Sequence, residues 1–267
     1  MSPFWQMLDP KYRVIFCDVW GVVHDGVHLY PGAAERLRGW RDEGRQVILV
    51  TNAPRTVESV AAQLQRIGLP ADCWDDIATS GEAGIAALLE LGAPAGFIGN
   101  PADREVLEGR GIEIAEDGFS DLACTGIDGI RTHAEEYREE LEFCLEADVT
   151  LHCLNPDRIV IRGGVEEDCA GAIADLYEAM GGRVEWYGKP HAHIYEHELH
   201  LAGDPPVEAV LAVGDSLRTD VLGAARMGFD TVFVAGGIHR GEDIPPSFAE
   251  ENGLGDWRPV AIVDGLA

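Results

Sequence analysis

The stretch FCDVWGVVHDG, Phe16 to Gly26, sets Asp18 at the end of an apolar run and three residues ahead of Gly21. A carboxylate at the exit of a buried segment is well placed to act as a nucleophile. Two residues on stands Trp20, whose indole exchanges no proton at neutral pH. Other candidates are Thr51 and Asn52 closing QVILVTN, Lys189 in YGKP, and Asp215 and Asp220 in VGDSLRTD. Each has a plain structural alternative. Asp18 could cap the following turn, and Thr51 and Asn52 could be ordinary turn residues. Lys189 could be a solvated lysine, and Asp215 and Asp220 could cap the helix RTDVLGAARMG. The elements that carry these residues decide whether they meet.

RVIFCDV, QVILVTN and EAVLAVGDS are short, near-continuous apolar runs ending in polar residues or glycine, the pattern of strands buried on both faces. Between the first two, PGAAERLRGWRDEG has Pro31 at its start, Leu37 and Trp40 at helical spacing and Gly44 at its end, as a crossover helix does. Alternating strand and helix predicts an α/β fold with a doubly wound parallel sheet. Ligands bind such sheets outside the carboxyl ends of the strands. Asp18, Thr51 with Asn52, and Asp215 all stand at those ends, so residues far apart in sequence could converge. The middle of the chain has a different texture and reads as a second α/β unit inserted into the first. It runs through AGFIGN, the helix PADREVLEGRG, the strand DLACTGI, the acidic helix THAEEYREELEFCLEA, VTLHCL, RIVIRGG and the helix EEDCAGAIADLYEAMGG. The expected division is a core over 1–92 and 186–267 and an inserted domain over 93–185.

The formal charge of −27 argues against nucleic-acid or anionic-membrane surfaces, which need clustered Lys and Arg. Any phosphate must be bound locally, and lysine occurs only at Lys11 and Lys189. The six cysteines form no C-x-x-C pair and read as reduced core residues of a cytoplasmic protein. No apolar run approaches the roughly 18 residues that span a bilayer, and the N-terminal residues do not read as a signal peptide.

Taken in order, these segments resemble the haloacid dehalogenase superfamily of hydrolases. DVWGVV is similar to its first motif, LVTNAP to its second, YGKP to its third and VGDSLRTD to its fourth. YPGAAERL, ATSGEAG and GKPHAHIYEHEL, with the insert between the second and third motifs, resemble its class IIA, NagD-like branch, whose C2-type caps are α/β. The resemblance implies a phosphatase acting on a small phosphorylated substrate through a phospho-Asp18 intermediate. It implies Mg²⁺ held by Asp18, Asp215, Asp220 and the backbone carbonyl of Trp20. The chemistry is coherent: a carboxylate attacking an anionic phosphate needs cations and donors around the equatorial oxygens, and Mg²⁺ prefers oxygen ligands. Lys189 would neutralise charge, and the Thr51 hydroxyl and Asn52 N–H would bind the phosphoryl group. Asp220 would orient Asp215 or a metal-bound water.

Phosphatases of this superfamily normally carry a second Asp where Trp20 stands, as the acid and base for the leaving group. Three explanations are open: His24 or Asp25 substitutes, substrates are restricted to good leaving groups such as acyl or aryl phosphates, or the protein binds a phosphorylated ligand with little turnover. A metal-independent dehalogenase is the rival enzyme, because haloacid dehalogenases also carry an aromatic residue there; retention of both acids in GDSLRTD favours the phosphatase. In LNPDRIV, Asn155 or Arg158 could read a substrate head group, or the segment could be a plain hairpin turn. His193, His197 and His200 share a helix face and are expected to be an exposed polar stripe. An apolar cap face would suggest a homodimer through the cap.

Overall fold

The computed structural model describes residues 3–162, 165–238, 241 and 243–267. The chain runs through β1 (Val14–Asp18), β2 (Gln46–Thr51) and β3 (Asp76–Thr79), then β4 (Gly96–Ile98), β5 (Asp121–Cys124), β6 (Thr150–Cys153), β7 (Ile159–Arg162), β8 (Val165–Asp168) and β9 (Arg183–Trp186). It returns through β10 (Val210–Gly214), β11 (Asp230–Val234) and β12 (Ala261–Val263). The fold is α/β. Two compact units form: residues 1–51, 57–78 and 189–267, and residues 52–56 and 79–188.

The first unit holds a six-stranded sheet of order β12-β11-β10-β1-β2-β3. Its β1–β2, β1–β10, β10–β11 and β11–β12 pairs are parallel. Every residue of β1 and of β10 is buried, which explains the unbroken apolar runs: central parallel strands are covered on both faces. Phe16 and Val14 of β1 pack with Ile48, Val210, Ile194, Tyr195 and Phe229. The helix Ala33–Asp42 buries Leu37 and Trp40, the spacing that marked it in the sequence.

The second unit holds a parallel four-stranded sheet of order β4-β5-β6-β9 and the antiparallel hairpin β7-β8. The division lies at 78/79 and 188/189, whereas the sequence suggested 92/93 and 185/186. Ile85 and Leu88 of the helix Ser80–Leu91 pack with Ala95, Leu107 and Leu154, and β9 bonds to β6. These tertiary contacts leave no mark in local pattern. Two helices also differ from expectation. Val165–Asp168 pairs with β7 as a strand, so the helix there begins at Ala170. The acidic helix opens with a 3₁₀ turn, Ala134–Tyr137, before Arg138–Glu146.

All six cysteines are buried, and none is in a disulfide. No helix of the described residues is long and apolar enough to cross a membrane.

Candidate active site

The register of the first unit fixes three site residues at one edge. Asp18 pairs with Val50, so Thr51 stands one residue beyond it on β2. Cys17 pairs with Val213, so β10 delivers Asp215 just past its last residue, Gly214. Chain order then supplies Lys189 ahead of the helix Ala192–Leu201, and Asp220 from a π-type turn, Leu217–Val221. Wide turns of this kind recur at functional sites.

These side chains meet. Lys189 Nζ donates to Asp18 Oδ1 and, at 2.6 Å, to Asp220 Oδ1. Asp18, Asp215 and Asp220 each offer a carboxylate oxygen within 4.8 Å of the others, the one group of three or more potential metal ligands among the described residues. Backbone donors fix the acids: Ser216 N–H donates to Asp220 Oδ2 at 3.1 Å and Ile238 N–H to Asp215 Oδ2 at 2.8 Å. Two glycines leave room for Asp215. A Cβ at Gly21, where φ is +95°, would lie 2.1 Å from its Oδ2, and one at Gly237 would lie 2.3 Å away. One ammonium, bonded to Asp18 and Asp220, accompanies a cluster of three carboxyl groups, so acidic groups are in excess. Burial first and then Asp220 push Asp18 well above the usual carboxylate range, with Lys189 opposing. Burial opposes the charge on Lys189, yet Asp18 and Asp220 outweigh it and hold the ammonium protonated. Excess negative charge among hard oxygen ligands fits a divalent cation such as Mg²⁺.

The residues around Trp20 are arranged differently. Its indole is half-exposed, lies edge-on to His24 with centroids 5.4 Å apart, and rests where a Cβ on Gly26 would be 2.5 Å from Cη2. His24 is buried, and its Nδ1 accepts from Gly26 N–H at 2.8 Å. Burial pushes its pKa down, against the pull of Asp25. Asp25 Oδ1 accepts from Val27 N–H at 2.9 Å and His28 N–H at 2.7 Å. These backbone bonds hold its carboxyl below the usual range. A neutral imidazole with an engaged Nδ1 and a stabilised carboxylate are both poor proton donors.

Asn52, Asn155 and Arg158 lie in the second unit. Asn52 Nδ2 donates to Asp157 Oδ1 at 3.0 Å, Asn155 Oδ1 accepts from Asp157 N–H at 3.2 Å, and the Arg158 guanidinium grips both oxygens of Asp175 at 2.9 and 3.0 Å. Asn155 thus closes its own turn, as Asn-Pro-Asp chemistry does. His193 and His200 are exposed and His197 half-buried.

Sequence reasoning missed Gly237 with Ile238, and Glu198. Glu198 is fully buried, and neither carboxylate oxygen has a hydrogen-bond partner among the described residues. Its one sequence signal is position: with Ile194 and Tyr195 it falls on the buried face of its helix.

Known proteins give the site its context. A family described as haloacid dehalogenase-like hydrolase matches residues 15–113, and one described as HAD-hydrolase-like matches residues 186–267. A crystal structure of a hydrolase of the haloacid dehalogenase-like family from Brucella suis 1330 is 33% identical, covers 98% of both chains and has a TM-score of 0.83. The chain belongs to the haloacid dehalogenase-like hydrolases. Within that family, ribonucleotide monophosphatase NagD of Escherichia coli K12 is 29% identical over 86% of this chain and 90% of its own. The 5'-nucleotidase YutF of Bacillus subtilis 168 is 25% identical over 93% of this chain and 98% of its own. These relatives place this haloacid dehalogenase-like hydrolase in the NagD-like branch.

Proposed function

We propose that the protein is a Mg²⁺-dependent phosphatase of small phosphorylated metabolites, with Asp18 as nucleophile and the second unit as an inserted cap that selects the substrate. The observation that carries this reading is the convergence of Asp18, Asp215 and Asp220 around a buried lysine at the strand ends. Relatives named as a ribonucleotide monophosphatase and a 5'-nucleotidase support a phosphomonoester. Asp18, Asp215, Asp220 and the Trp20 carbonyl would hold Mg²⁺, which supplies positive charge for the phosphoryl oxygens when bound. The chain's own residues do the rest. Lys189 and the Thr51 hydroxyl orient and neutralise the phosphoryl group. An oxygen of Asp18 attacks phosphorus, the bond to the leaving oxygen breaks, and water then cleaves the aspartyl-phosphate to return Asp18 and inorganic phosphate.

His24 and Asp25 are poor donors as bonded, so the reading includes a restriction to leaving groups that depart without a proton, such as aryl or acyl phosphates. The test is p-nitrophenyl phosphate hydrolysis by the purified protein. Turnover is expected with Mg²⁺ and its loss is expected with EDTA. Absence of turnover with Mg²⁺, or halide release from a 2-haloacid that EDTA leaves unchanged, would displace this reading.

The metal site makes a second prediction. A methyl group at Gly237 would meet Asp215 Oδ2 at 2.3 Å and swing that carboxylate off the Ile238 N–H. Gly237→Ala is expected to weaken Mg²⁺ binding by about 10–100-fold in titration calorimetry, the usual cost of disturbing a ligand's support. Unchanged affinity would remove Asp215 from the metal site.

A further inference from the structure

We propose that Glu198 is a positioning residue for the active-site lysine, joined to it through a single buried water. The inference rests on the phosphatase reading for its functional meaning and on geometry for its substance.

A cavity of about 10 Å³ lies beneath the cluster, lined by Asp18, Lys189, Asp220, Tyr195 and Glu198 together with apolar strand side chains. That is room for roughly one water, and a buried water needs two to four polar partners. The polar lining supplies them. The Tyr195 hydroxyl is already committed as a donor, its one proton shared between the carbonyls of Thr219 at 3.3 Å and Asp220 at 3.4 Å, and it can only accept from a water. Glu198 is not committed: both oxygens are buried and, among the described residues, without a hydrogen-bond partner. A buried carboxyl left so costs about 1–3 kcal/mol, more if charged, and such groups are satisfied in native proteins.

Burial, reinforced by Asp220 and Asp18 against the pull of Lys189, keeps Glu198 protonated. A protonated carboxyl both donates and accepts, so it can hold a water that also accepts from the Lys189 ammonium. Lys189 is then held by Glu198 through the water as well as by Asp18 and Asp220 directly. A glutamate on the apolar face of a helix breaks the local pattern, and such breaks are expected where function sets the residue.

The test compares wild type with Glu198→Leu and Glu198→Gln by thermal melting, inorganic phosphate binding with Mg²⁺ and p-nitrophenyl phosphate kinetics. Leucine replaces the carboxyl and its water with apolar packing while Lys189 keeps Asp18 and Asp220, so Glu198→Leu is expected to melt no lower than wild type. It is also expected to lose about tenfold in kcat and in phosphate affinity, the low end of what supporting residues cost. Glu198→Gln, a neutral polar isostere, is expected to stay within about twofold on both counts. Wild-type kcat and phosphate affinity in Glu198→Leu would overturn the proposal, as would a lower melting temperature, which marks a packing role. Loss in Glu198→Gln equal to that in Glu198→Leu would also overturn it, assigning the carboxyl a charge or proton role. Failure of the phosphatase reading looks different: wild type itself is then inert, while phosphate binding still reports on Lys189.

Discussion

Asp18→Asn is expected to lower p-nitrophenyl phosphate turnover by a factor on the order of 10⁴ or more, the loss typical of removing a nucleophile. The amide cannot form the acyl phosphate, while the surrounding structure has little reason to change. Lys189 keeps its bond to Asp220, and Asp215 keeps its backbone donor at Ile238. The sign of the stability effect comes from the raised pKa of Asp18. A carboxyl raised in the fold is easier to ionise in the unfolded chain, so in metal-free protein it costs stability that grows as pH rises through the range between its unfolded and folded values. Asparagine removes that cost. In EDTA near pH 8, Asp18→Asn should therefore melt cooperatively and no lower than wild type. Dead enzyme with an intact fold is the expected pair of results; dead enzyme with a collapsed melt would leave the nucleophile unproven.

Trp20→Asp should change which substrates the enzyme accepts. A positioned general acid contributes about 10²–10⁴-fold where the leaving group needs a proton. The variant should therefore gain on that order with alkyl phosphates and little with p-nitrophenyl phosphate. The indole is half-exposed and packs on Gly26 and His24, so its removal uncovers a loop while the buried cluster is untouched. The measurement is the ratio of kcat/KM for alkyl and aryl phosphates in both proteins. A wild type that hydrolyses both equally well, and that loses the alkyl substrate in His24→Gln or Asp25→Asn, would show that one of those residues moves the proton after all. A wild type inert towards both, awakened only by Trp20→Asp, would favour a phosphometabolite-binding protein.

The core of the site was legible in the sequence for a physical reason. Central parallel strands are buried on both faces, so β1, β2 and β10 appear as continuous apolar runs. The residues directly after each run must lie at the sheet's carboxyl edge. That logic sets Asp18, Thr51 and Asp215 at one edge of the sheet, where they could converge. Lys189 and Asp220 came through the resemblance to the haloacid dehalogenase superfamily, because nothing local tells a buried lysine from a solvated one.

Other features depend on tertiary neighbours. Glu198 lies on a helix whose histidines drew attention to the opposite, polar face, and its burial is set by the strands beneath it. Gly237 matters because Asp215, distant in sequence, needs the space a Cβ would fill. Val165–Asp168 carries two glutamates and reads as a helix start, but hairpin pairing with β7 overrides local propensity. The helix Ser80–Leu91 has the same local pattern whichever unit it packs on, so no local signal marks a boundary near residue 79.

In the proposed mechanism Asp18 carries the phosphoryl group during turnover. Acid quenching of wild type during p-nitrophenyl phosphate hydrolysis with Mg²⁺, followed by peptide mass spectrometry, tests it directly. A phosphorylated aspartate is expected at Asp18, absent in Asp18→Asn and in EDTA. Steady turnover with Asp18 unmodified, or with the phosphoryl group on another residue, would contradict it.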